Sequence, residues 1–385
     1  MARPTNVVEL LQDLVAIPSV NPNGTPGTDR VGEQALAEYV ADFLRDLGAE
    51  AALEMIEPGR PNVVARFTPK EPKARLAFAP HLDTVSVAGM TIPPFDPVVR
   101  DGKLFGRGST DTKGPMAASL WAVRDWAQSP ARARSKIEWT YLALMGEEAG
   151  NDGAHAMADQ GFSSDLVLVQ EPTSLGVVTA HKGALWLEIS TTGVACHGST
   201  PGQGRNAIYA MRRVLEVIED EFIPELARQP HPKLGPATMN VGTISGGSKV
   251  NIVPDQCRIE VDCRLVPGLD PEPLRARLEA LLRKRVPEVS VGFQTLRTRR
   301  FSLPLDTDES IPWVQRLGQT ARGFTTAPWF SDAAVLGRAH CPAVCVGPGS
   351  IAQAHTRDEF ILVHDLEEGA QFFSRWMSTA EEAVA

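Results

Sequence analysis

Seven side chains of the kinds that hold divalent cations stand at the ends of apolar runs in this sequence. They are His81 and Asp83 in APHLDTV, Asp111 in GRGSTDTKG, Glu147 and Glu148 in MGEEAG, Glu171 in VQEPTS, and His355 in GPGSIAQAHTRDEF. A histidine that ligates through one ring nitrogen needs an acceptor for the other, and Asp83 lies two residues from His81 to serve as one. Glycines around Asp111 let the backbone fold tightly about a carboxylate, although an aspartate there could equally cap a helix. Two adjacent carboxylates at the end of a buried strand repel one another unless cations neutralise them, so Glu147 and Glu148 suit one general base and one ligand. Each motif alone has a bland explanation: a turn histidine, a helix cap, a solvated acidic pair, a structural histidine. Jointly they offer two imidazoles, one aspartate and two glutamates at one sheet edge, in addition to the base. Mixed nitrogen and oxygen donors suit zinc, with cobalt or manganese as substitutes. Five ligands crowd a single ion. Divided between two ions bridged by Asp111, they give each metal two private ligands and leave positions open for water, as hydrolysis requires.

The elements that must carry these residues alternate between strand and helix. Apolar runs at 62–67, 75–79, 137–144 and 166–169 read as strands. Helical spacing of Val31, Ala35, Tyr39, Phe43 and Leu47, and of Met116, Leu120 and Val123, predicts helices between them. That order implies an α/β sheet, whose ligands gather beyond the strand ends. After Glu171 the order changes to strand 184–192, helix 206–219, strands 238–245 and 257–265, a helix opened by Asp270 and Pro271, and strand 289–296. This is the β-α-β-β-α-β plan of a ferredoxin-like α+β domain. We therefore expect a first segment of the catalytic domain at 1–180, an inserted domain at 181–293, and a second catalytic segment at 294–385 that adds strand 343–346 and a helix at 365–377.

Composition narrows the classes. The 385 residues exceed what one core usually supports, and 43% hydrophobic with 22% charged residues is ordinary for a globular chain. A net charge of −9 argues against a nucleic-acid or membrane-surface partner. No apolar run reaches the roughly 20 residues of a membrane span, and the N-terminus has no signal-peptide core, so a cytoplasmic location is the default expectation. The five scattered cysteines do not form a disulfide framework. The GRGSTDTKG segment lacks the order of a phosphate loop, because Lys113 precedes Gly114, and this disfavours a nucleotide site.

HLDTV, GRGSTDTKG, GEEAG, QEPT and AHTRDE together resemble the zinc-dependent aminoacylase and carboxypeptidase family, which includes acetylornithine deacetylase, succinyl-diaminopimelate desuccinylase and the glutamate carboxypeptidases. The resemblance runs along essentially the whole chain. It implies a mixed-sheet, zinc-peptidase-like α/β catalytic domain with an inserted lid and dimerisation domain. It implies one zinc on His81, Asp111 and Glu171, a second on His355, Asp111 and Glu148, Glu147 as the general base, and Asp83 as the carboxylate that orients His81. In the segment GVACHGSTPGQGRNAI it implies that His197 reaches the active site of a partner subunit, so a homodimer is expected. In NIVPDQCRIEVDCR it implies Asn251 and Arg264 as substrate contacts. The substrate carboxylate would be held by Arg264, Asn251 and the turn from Gly347 to Ser350.

Within the family, AHKG at 180–183 and GPGSIAQAH at 347–355 look most like acetylornithine deacetylase. Desuccinylases carry an arginine pair where this chain has His181 and Lys182, while WFSDAA at 329–334 differs from the acetylornithine enzymes. The expected function is amide hydrolysis of a small N-acyl amino acid. A dipeptidase or carboxypeptidase, or a desuccinylase, is the alternative within the same chemistry. A catalytically silent binding relative is the alternative of another class, and it predicts a lost ligand or base, which the sequence does not show.

Overall fold

The computed structural model describes residues 4–23, 25–296, 302–338 and 341–384. Its contacts divide the chain into two units, Met1–Thr179 with Asp306–Thr326 and Ser331–Ala385, and Ala180–Leu305 with Ala327–Phe330. The second unit thus extends past the expected return at 294 and takes back a short piece after 326. The sequence between 297 and 301 lies outside the described residues.

The first unit is built on a mixed sheet. Along it the strands run Glu50–Glu57, Arg60–Phe67, Ile137–Ala143, Ala74–Ala79, Leu166–Val169, Ala343–Cys345, Val177–His181 and Leu305–Asp306, with Phe324–Ala327 beside Val177–His181. The central four are mutually parallel, because Ala74–Ala79 pairs in parallel with both Ile137–Ala143 and Leu166–Val169, and the last pairs in parallel with Ala343–Cys345. Parallel strands are covered on both faces, which is why Leu166–Val169 is apolar throughout and fully buried.

Helices Val7–Ala16, Lys113–Ala127 and Val363–Val384 pack about this sheet. In the last of these, Leu366, Ala370, Phe373, Met377 and Ala380 recur at three- and four-residue spacing and are buried. Phe78 on the central strand stacks on Trp139 at 5.6 Å and meets the edge of Phe373 at 5.5 Å, which joins sheet to helix. A separate three-stranded sheet of Phe360–Leu362, Lys103–Phe105 and Val98–Arg100 stands beside it. These three-residue strands are too short to show periodicity in the sequence.

The second unit holds an antiparallel sheet ordered Thr238–Gly246, Gln256–Leu265, Gly183–Thr192, Ser290–Thr295. In order of appearance along the chain the strands stand 2-3-1-4, the ferredoxin-like arrangement. Helices Ala207–Val217 and Pro271–Arg285 supply Met211, Val214, Leu274, Leu278 and Leu282 to its core. The strands alternate cleanly, with Leu185, Leu187 and Ile189 inward and Trp186, Glu188 and Ser190 on the open face. The helix expected to reach 219 passes at Ile218–Phe222 into a π-helical turn. Among the described residues no helix is long and apolar enough to cross a membrane.

Candidate metal centre

The residues singled out from the sequence come off the carboxyl ends of the parallel strands. His81 follows Ala74–Ala79 and is held there by a bridge to Leu144, with Leu82 N–H donating to the Leu144 carbonyl at 2.6 Å. Glu147 and Glu148 follow Ile137–Ala143 in a short turn entered through Gly146, whose φ of 77° is in the left-handed region that favours glycine. Glu171 follows Leu166–Val169, and His355 lies beyond Ala343–Cys345. Asp111 arrives differently, on the loop between the Lys103–Phe105 strand and the Lys113–Ala127 helix. The cap of that helix is Thr112, so Asp111 is free of the capping role that the sequence left open.

Asp111 is the meeting point. Its Oδ1 lies 3.1 Å from His81 Nε2 and its Oδ2 lies 3.2 Å from His355 Nε2. His355 Nε2 is also 3.2 Å from Glu148 Oε1. Donor atoms of His81, Asp111 and Glu148 all fall within 4.8 Å of one another. Glu171 is buried beside them, with its Oε1 lacking any hydrogen-bond partner. His355 stands at the open side, its side chain 52% exposed, and takes a φ of 62°. A non-glycine residue in that region costs of order 1 kcal/mol and persists where contacts over-determine it. Here Asp111 and Glu148 fix the ring.

Asp83 does more than the sequence suggested. His81 Nδ1 donates to the main-chain carbonyl of Asp83 at 2.9 Å, with the Asp83 carboxylate further off at 3.4 Å. That bond places the proton on Nδ1 and turns Nε2 toward Asp111. The carboxylate itself accepts the main-chain N–H groups of Glu147 at 3.0 Å and Glu148 at 3.1 Å, and the side-chain amide of Asn21 at 2.7 Å. Asn21 was not foreseen, and nor was Asp332. The latter is fully buried, accepts from Asn151 Nδ2 at 2.9 Å, and adds its charge to those acting on Glu147 and Glu171. Asn21 sits in no motif, and Asp332 lies in WFSDAA, which the sequence marked only as a departure from the acetylornithine enzymes.

The electrostatics follow from burying so many acids together. Burial raises the carboxyls of Glu147, Glu148 and Glu171, and the charges of their acidic neighbours add to the rise. Burial opposes the charge of Asp111 too, yet hydrogen bonds from His355 and His81 hold it well below the usual carboxylate range. Against its own burial, His355 is pushed up to about 11 by Asp111 and Glu148. Burial likewise works against the His81 proton, but hydrogen bonds with Asp111 and Asp83 hold its pKa well above the usual imidazole value. The acids of the cluster thus favour the protonated form of both imidazoles. Divalent cations fit the same place: the donor set is mixed imidazole and carboxylate, and the bare Glu171 oxygen is a buried acceptor without a donor.

Gly347 and Ser350 belong to this unit. Gly347 gives its N–H to Thr173 Oγ1 at 3.2 Å and its carbonyl accepts the Leu175 N–H at 2.9 Å, so its backbone groups are engaged within the fold. What it supplies is clearance, since a Cβ there would meet the Glu171 carbonyl at 2.7 Å. Ser350 Oγ caps the short Ile351–Gln353 turn. His197, Asn251 and Arg264 belong to the second unit. There His197 bridges to Ile252, and Gly198 N–H donates to the Asn251 carbonyl at 2.8 Å, which brings His197 and Asn251 together on exposed loops. Arg264 is half-buried on the open sheet face, its Nε 3.0 Å from Asp262 Oδ2.

Residues 179–290 match the family described as "Peptidase dimerisation domain", and residues 62–173 match "Peptidase family M28". The chain is 32% identical to acetylornithine deacetylase of Photorhabdus laumondii subsp. laumondii, with 92% of each covered. It is 27% identical to a probable succinyl-diaminopimelate desuccinylase of Staphylococcus epidermidis, again over 92% of each. Among solved structures it is similar to the M20 family metallo-carboxypeptidase Sso-CP2 from Sulfolobus solfataricus, with a TM-score of 0.80 at 17% identity over 98% of this chain and 100% of that one. With relatives at this identity over nearly its whole length, the chain belongs to the M20 family of metal-dependent peptidases and deacylases, alongside acetylornithine deacetylase and succinyl-diaminopimelate desuccinylase.

Proposed function

We propose that this protein is a two-metal hydrolase, with zinc as its native ion, that cleaves the amide bond of a small N-acyl amino acid in the manner of acetylornithine deacetylase. The observation that carries this reading is the double engagement of Asp111, one oxygen toward His81 and the other toward His355, at 3.1 and 3.2 Å. In this reading His81, Asp111 and Glu171 hold one ion and His355, Asp111 and Glu148 the other. When bound, such a pair supplies a water of lowered pKa and polarises the amide carbonyl.

The chain's own residues do the rest. Burial raises the proton affinity of Glu147, so its carboxylate takes a proton from water and returns it to the leaving amine. Asp83 keeps Glu147 and Glu148 in register by holding their main-chain N–H groups. His197, supplied by a second copy in a homodimer, donates to the developing oxyanion, and Arg264, Asn251 and Ser350 orient the substrate carboxylate. The dimerisation-domain match over 179–290 supports the second copy.

The test is a hydrolysis screen of N-acetyl, N-succinyl and dipeptide substrates with zinc and then cobalt supplied, combined with metal counting. Two tightly held ions and turnover of N-acetyl amino acids are expected. Turnover of dipeptides alone would move the assignment to a dipeptidase. A chain that holds fewer than two ions and cleaves none of these would refute it.

A further inference from the structure

The loop that delivers Asp111 is organised by one carboxylate from elsewhere in the chain. Glu359 is buried, and both of its oxygens are fully used. Its Oε2 accepts from Arg107 Nη1 at 2.6 Å and from the Gly108 N–H at 3.1 Å. Its Oε1 accepts the main-chain N–H groups of Thr110 and Asp111, each at 3.0 Å. The main chain follows the same path: Gly106 N–H donates to the Glu359 carbonyl at 3.0 Å, and Thr110 Oγ1 donates to the Phe360 carbonyl at 2.6 Å. Phe360–Leu362 then pairs antiparallel with Lys103–Phe105. Glu359 lies four residues beyond His355, so one short segment both carries an imidazole of the cluster and anchors the loop of the residue that imidazole meets.

If Glu359 served only to neutralise buried Arg107, one oxygen would suffice. The other oxygen has no cationic partner and is given over to two backbone donors at Asp111 and its neighbour. We propose that Glu359 is a positioning residue that sets the orientation of Asp111 between His81 and His355, and through it the capacity of the site for its metal ions. This rests on the reading of Asp111 as the shared ligand. An amide cannot replace this carboxylate, because its NH2 would face either Thr110 and Asp111 or Arg107 and Gly108, which are all donors.

The test compares the full-length wild type with Glu359→Gln, Glu359→Asp and Arg107→Gln. Each protein is stripped with a chelator and titrated with zinc against a chromophoric competitor, then with cobalt while its visible spectrum is followed. The thermal midpoint of each metal-free form is measured in parallel. Glu359→Gln and Glu359→Asp should weaken uptake of at least one ion roughly 10- to 100-fold, alter the cobalt spectrum, and lower kcat with KM little changed. Arg107→Gln keeps the Oε1 contacts and should weaken uptake less at a comparable fall in midpoint. Wild-type affinity and spectrum in either Glu359 variant would overturn the proposal, and so would equal losses in Arg107→Gln and Glu359→Gln at equal midpoint. If Glu359→Gln does not fold, Glu359→Asp and Arg107→Gln decide between the same outcomes. A wild type that takes up no ion overturns the metal reading itself, a result distinct from unaffected variants of a metal-binding wild type.

Discussion

The carboxylate of Asp83 receives the main-chain N–H of Glu147 on Oδ1 at 3.0 Å, a contact across 64 residues of sequence. Its other oxygen takes Glu148 N–H and the Asn21 amide. A carboxylate loaded in this way cannot be exchanged for an amide without facing donor to donor. Asp83→Asn should therefore weaken metal uptake by about 10- to 100-fold while the chain stays folded. Competitive zinc titration and circular dichroism of the same samples check this, and unaltered affinity would show that Asp83 does not govern the site.

Glu147 has a buried carboxyl raised by its surroundings, and in the proposed reading it stands outside both ligand sets. As a base rather than a ligand, Glu147→Ala should keep its full metal complement and lose about 10²- to 10⁴-fold in kcat. Elemental analysis and steady-state kinetics on one preparation separate the two roles. Loss of an ion in this variant would reassign Glu147 to the ligand set.

Cation uptake should release protons. In the metal-free site the pKa of His81 is held well above the usual imidazole value, and that of His355 is about 11. Both rings are thus held toward the charged form and must be neutral to ligate. Affinity consequently rises as pH rises through the neutral range. Calorimetric titration with zinc in buffers of different ionisation enthalpy measures the protons released, and a heat independent of buffer would contradict this.

Burial holds His181 neutral, its pKa pushed down to about 4. The unfolded chain binds that proton near 6.5 while the folded one does not, so stability is complete above that pH and declines as pH falls toward 4. The full contribution is about 3 kcal/mol, from roughly 1.4 kcal/mol per pH unit between the two values. Urea unfolding at pH 7, 5.5 and 4 should show this fall in the wild type and a shallower one in His181→Gln. Parallel profiles would exclude His181 as the cause.

Much of this protein is written locally. Continuous apolar runs such as Leu166–Val169 declare buried parallel strands, because both faces of such a strand are covered and no polar residue interrupts the pattern. The alternation in Gly183–Thr192 and Gln256–Leu265 declares a sheet with one open face. The acids and histidines that follow the strands are legible for the same reason, since residues just beyond parallel strands share one edge of the sheet whatever their separation in sequence. What sequence could not supply is everything decided by a single long-range contact. Glu359 closes the AHTRDE motif, but nothing in the sequence joins it to Asp111 until the three-residue strands fold it under that residue. Asn21 lies in no motif and Asp332 in one that says nothing of its role, and they matter through hydrogen bonds to residues 62 and 181 positions away. Periodicity records which face of an element is buried. Only the packed chain fixes which buried polar atom finds which partner, because that depends on ångström-scale placement of segments with no local sequence in common.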